Sequence, residues 1–275
     1  MLEKDYDRLL SCYPQLRLPI SQGVSASEAY RDAVLRGRSV TTAPCVAFCA
    51  EDDLWEEKTF AGTIRIWRLD CRERFERAVQ ALAYRCEPKK IPGAVGAQYI
   101  GGLINWEKIR EHRRLYMAAG GRDWSGEFQR FTRHKENYTD NLILLSSGYY
   151  SGLSPEETGL SPQAWKEASG VIRKYHELTH FIYRKCYPGD VAPVRDEVLA
   201  DCVGICVAFG RYDAQLARKF LGIENGLAQP GARLRHYVPE EALPQTVKEA
   251  ELWICGLAHV LDRVHDLGKR HTDFL

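Results

Sequence analysis

SPQAWKEASGVIRKYHELTHFIYRKC, residues 161–186, has the marks of one long helix. Ser161 is a good N-cap, and Pro162 suits the first helical position, where its missing N–H has no partner to lose. Trp165, Ile172, Tyr175, Thr179 and Ile182 recur on one side at helical spacing. Pro188 and Gly189 then stop the helix. Inside it sits His176-Glu177-Leu178-Thr179-His180. Two histidines four apart on a helix project to the same side and can reach one ion. Glu177 lies about 100° round the axis from His176, close enough to meet a water on that ion. This geometry exists only if the segment is helical, and the helix signals here are independent of the pentapeptide.

A catalytic zinc takes three protein ligands and leaves a fourth position open. Glu197 follows His180 by seventeen residues, in Arg195-Asp-Glu-Val-Leu-Ala-Asp201. A second helix expected from about Pro193 to Gly210 puts Glu197 and Asp201 one turn apart. Glu197 can complete a two-histidine, one-glutamate set. Asp201 can accept the spare ring N–H of a ligating histidine and so fix its tautomer. His176, Glu177, His180, Glu197 and Asp201 together resemble the motif pair of the gluzincins, zinc hydrolases of the thermolysin and neprilysin type. Those enzymes carry H-E-x-x-H on one helix and E-x-x-x-D on a following one. The resemblance covers about residues 165–210. It implies a Zn2+ ion, Glu177 as the base that activates water, and a peptide or small amide-containing substrate. It also implies a downstream histidine, tyrosine or arginine steadying the oxyanion, for which His236 and Tyr237 are the candidates. A strand edge ahead of the metal helix lines the substrate cleft in that family. The apolar run 142–145, followed by Tyr149-Tyr150, stands in that place, and a peptide could add to its edge.

Other readings share these residues. In the metzincin pattern the third ligand would fall on Cys186, but Tyr183 stands where that pattern needs its turning glycine, so Cys186 should point elsewhere. His236 is another possible third ligand. Manganese, cobalt or iron could occupy the same donor set. The metal could serve a small-molecule enzyme of a specialised biosynthetic pathway, or be structural in a non-catalytic interaction protein. Glu177 argues against the last, because a structural site needs no base beside its first ligand. Taken singly, each histidine could be an ordinary helix residue, and Glu197 could open a helix whose dipole suits acids. Five residues at compatible spacing on two helices argue jointly for a site.

The remaining chain bounds the answer. Its 275 residues, 45% hydrophobic and 27% charged, suit an ordinary globular protein. Lysine plus arginine numbers 38 against 37 acids, so no net charge draws it to nucleic acid or membrane, and the cluster Arg110, Arg113, Arg114 is diluted by nearby acids. The charged N-terminus does not read as a signal peptide, and the most apolar run, 198–209, is short and contains Asp201. A cytoplasmic setting is expected. Nine cysteines without a C-x-x-C pair read as buried free thiols, Cys45/Cys49 and Cys202/Cys206 being four apart.

Helices are expected at 27–35, 71–84, 105–117, 213–221 and 244–268, and strands at 63–69 and 141–146. The glycine-rich stretch 91–102 matches no phosphate-loop spacing and reads as a turn-rich connection. Residues 227–237 read as a loop, and His259 and His265 as packing or surface residues of the final helix. The expected fold class is α+β. Residues 1–160 form a mixed region with a small sheet, and 161–275 a mainly helical metal-binding region with a zincin-like active-site helix, in one compact unit. No oligomeric state is implied.

Overall fold

In a computed structural model, which describes residues 1–272 and side chains through Val264, two apolar runs lie side by side as parallel strands. They belong to β2 (Gly62–Leu69) and β4 (Thr139–Ser146), in register from Arg65 opposite Leu142 to Leu69 opposite Ser146. β1 (Asp53–Thr59) pairs antiparallel with β2, and β3 (Ala97–Ile104) completes a sheet ordered β1-β2-β4-β3. Leu142, Ile143, Leu144 and Leu145 are all buried, as a strand covered on both faces requires. The fold class is α+β, as expected.

Two expectations about this sheet are corrected. β4 lies between β2 and β3, so the edge at 142–145 expected to accept a peptide is already taken by neighbouring strands. Four consecutive apolar residues announce burial on both faces but do not say which strands flank them. The stretch 91–102 is a turn-rich connection only in its first half, since β3 begins at Ala97.

The chain divides into two units. The first comprises Met1–Pro92 with Gln98–Ser147 and holds the sheet together with α1 (Glu3–Cys12), α2 (Arg72–Leu82), α3 (Trp106–Ala118) and α4 (Trp124–Phe131). The second takes Gly93–Ala97 and the residues from Gly148 onward. Its helices are α5 (Pro162–Cys186), α6 (Pro193–Phe209), α7 (Ala214–Leu221) and α8 (Leu243–Thr272). Gly96 explains why the short segment belongs there. A Cβ at that position would stand 2.4 Å from Nε of the buried Arg173 on α5.

α5 starts as its sequence dictates, with the Ser161 side chain accepting from the Ala164 N–H and Pro162 in the first turn. α6 ends at Gly210, whose φ of 72° is a left-handed cap. Only residues 187–192 join the two helices, so they fold back as a hairpin. They approach closely at Gly204, where a Cβ would lie 3.0 Å from the carbonyl oxygen of Ile172. Trp165, Ile172, Val198, Ile205, Phe220, Leu234, Val247 and Ile254 fill the core of this unit.

The buried face of α5 differs from the apolar stripe. It runs through Trp165, Ser169, Ile172, Arg173, His176 and Glu177, whereas Tyr175, Thr179 and Ile182 are only half-buried. Polarity alone puts histidine on the wet side, but the carboxylates Glu197 and Asp201 on α6 make the burial of His176 possible. No described helix is long and apolar enough to cross a membrane. His259 is exposed, and the role expected for His265 falls outside the described side chains.

Candidate metal centre

One turn of α5 separates His176 from His180, and their Nε2 atoms lie 3.1 Å apart with the rings nearly perpendicular. From α6, Glu197 presents Oε2 at 3.4 Å from His176 Nε2 and Oε1 at 3.4 Å from His180 Nε2. A tetrahedral ion with bonds of about 2.0–2.1 Å spaces its ligand atoms roughly 3.3–3.4 Å apart. One ligand atom from each of the three side chains lies within 4.8 Å of the others, close enough to share such an ion. Among the described residues no other trio of histidine, cysteine or carboxylate groups converges in this way. Cys186 and His236 are both exposed and stay out of the cluster, so Glu197 is the third member.

Behind the ligands lies a buried polar network. His176 Nδ1 is 2.9 Å from Asp201 Oδ1 and 2.9 Å from the Tyr150 hydroxyl, which itself donates to Asp201 Oδ1 at 2.6 Å. Because the phenol proton goes to Asp201, the network assigns the His176 proton to Nδ1 and leaves Nε2 facing the cluster. Arg233 Nη1 donates to the Tyr150 oxygen at 3.0 Å, and its Nη2 donates to Asp201 Oδ2. Tyr237 donates its hydroxyl proton to Glu197 Oε2 at 2.8 Å. Glu177 is buried and makes no hydrogen bond or ion pair with another described residue.

Arg233 Nη2 pairs with Asp201 and lies 3.9 Å from Glu197 Oε2, so both buried carboxylates face its guanidinium. Burial works against a charged His176 ring, yet hydrogen bonds to Asp201 and Glu197 outweigh it and raise its pKa from 6.5 to about 10. Burial likewise opposes ionisation of Glu197 and Asp201. The histidines hold Glu197 well below the usual carboxylate range, and Arg233, with His176, lowers Asp201. Without an ion, these two carboxylates favour a second proton on His176.

Five expected residues, His176, Glu177, His180, Glu197 and Asp201, thus gather on two adjoining helices, and Tyr237 reaches them from downstream. His236, although next to Tyr237, makes no hydrogen bond or ion pair with any of them. Tyr150, expected beside the substrate cleft, instead bonds to His176 and Asp201, and Arg233, which no sequence motif marks, joins the same network.

Comparison with known families gives one match, to a family of unknown function over residues 3–265. The chain belongs to the DUF7005 family. No curated protein and no solved structure matches it.

Proposed function

We propose that this DUF7005 chain is a metal-dependent hydrolase, with zinc the first candidate, that cleaves a peptide or small amide bond. The convergence of His176, His180 and Glu197, with Glu177 buried beside them and bonded to no other described residue, carries this reading. The same residues make up the gluzincin-like motif pair. When bound, the ion lowers the pKa of a water towards neutrality and polarises the scissile carbonyl. Glu177 takes a proton from the attacking water and passes it to the leaving amine. Asp201 and Tyr150 hold the tautomer of His176. A reducing cytoplasmic setting suits nine free thiols.

One observation favours the small-molecule version of this reading. The strand expected to hold an extended peptide is interior to its sheet, which weakens the peptide case without touching the metal site. The test is Glu177→Gln, assayed beside wild type on an unstructured peptide reporter and a panel of small amides, with metal content measured in both. Equal metal content and an activity loss of about 10²–10⁴-fold is the expected result. Full activity in Glu177→Gln would remove Glu177 as the base. A wild type holding no metal after incubation with zinc would remove the site itself.

A further inference from the structure

Tyr237 closes the short turn Arg233–His236. Its backbone N–H bonds to the carbonyl of Leu234 at 3.2 Å, and Leu234 is fully buried in the helical core against which Tyr237 also packs. The phenol is therefore fixed before it reaches Glu197. A phenol beside a carboxylate sets the direction of the bond: the hydroxyl donates and the carboxylate accepts.

The two oxygens of Glu197 consequently differ. Oε2 accepts the phenol proton at 2.8 Å and faces Arg233 Nη2 at 3.9 Å. Each oxygen faces one histidine at 3.4 Å, Oε2 the Nε2 of His176 and Oε1 that of His180, but Oε1 accepts no hydroxyl. A carboxylate can bind an ion through one oxygen or through both. Charge drawn towards a phenol and a guanidinium weakens Oε2 as a ligand and leaves Oε1 the stronger donor. We propose that Tyr237 is a positioning residue that holds Glu197 to one-oxygen metal coordination through Oε1, so that a coordination position stays open for water and substrate. The inference rests on the metal reading above. It also changes the role expected for Tyr237, whose proton is committed to Glu197 and not to an oxyanion.

The test compares wild type, Tyr237→Phe and Tyr150→Phe. Zinc affinity is measured by competition with a chromophoric chelator, and the visible absorption of each protein is recorded after loading with Co2+. Tyr237→Phe should still bind one ion per chain, about 10-fold or more weakly. Its Co2+ bands should weaken, because Glu197 then takes the ion with both oxygens and raises its coordination number. Tyr150→Phe, which disturbs His176 but not Glu197, should lose affinity and keep the wild-type Co2+ bands. A Tyr237→Phe protein whose Co2+ spectrum matches wild type overturns the inference and leaves the metal reading standing, even if its thermal stability falls. A wild type that binds neither zinc nor cobalt overturns the metal reading, and the inference with it.

Discussion

His176 is a buried imidazole between two carboxylates, and its folded-state pKa of about 10 lies above the 6.5 of a free ring. The sign of the linkage follows. In metal-free protein this group contributes stability that is fully present below about pH 6.5 and is lost as pH rises through 10. Thermal unfolding of chelated protein should therefore show a decline across that interval that is blunted in His176→Gln. Metal binding must displace the same proton, so zinc affinity should climb with pH over the same range. Arg233 makes a second prediction. It alone pairs with Asp201 Oδ2 and also supports Tyr150. Arg233→Met should cost about 3–5 kcal/mol in denaturant unfolding, since it leaves a buried carboxylate short of its partner. At this scale the ligands were legible because their spacing is local to two helices. The pairing of Tyr150 with Arg233 was not, because 83 residues separate them and neither belongs to a periodic pattern.

The hairpin of α5 and α6 turns five spaced residues into one cluster. Its geometry depends on Gly204, which lets the backbone of α6 approach Ile172, one turn before His176. Gly204→Val should force the helices apart and weaken zinc binding by an order of magnitude or more, although no ligand is changed. Isothermal titration with zinc checks this, and unchanged affinity would show that the hairpin tolerates the added bulk without moving its ligands. Both helices were readable from caps and breakers: Ser161 and Pro162 at one start, Pro193 at the other, Gly210 at the end. The buried face of α5 was not. His176 is buried on that face because α6 supplies Asp201 and Glu197, and the loop before α5 supplies Tyr150.

Across the whole molecule, the site lies within the helical unit, and the mixed sheet belongs to the other. An ion bound only by the folded site adds stability by mass action, about 2.7 kcal/mol when its concentration is 100 times its dissociation constant. Chelation should therefore lower the thermal midpoint and speed amide hydrogen exchange in α5 and α6, where the ligands sit. Exchange in those helices that ignores chelation would count against a bound ion in the native protein.

By itself the sequence determined what depends on neighbours a few residues apart: the helices, the two buried strands, the paired histidines, and Glu197 and Asp201 one turn from each other. Periodicity, caps and breakers act over a single element, so they can be read without knowing the fold. The tertiary structure decided what depends on distant segments meeting. It put β4 inside the sheet, brought the 93–97 segment to Arg173, left His236 exposed, and set Tyr150, Arg233 and Tyr237 behind the ligands. In the helical unit, Tyr150 and Tyr237 pack on the core of Trp165, Phe220 and Leu234. No spacing along the chain encodes which polar groups such a core brings together.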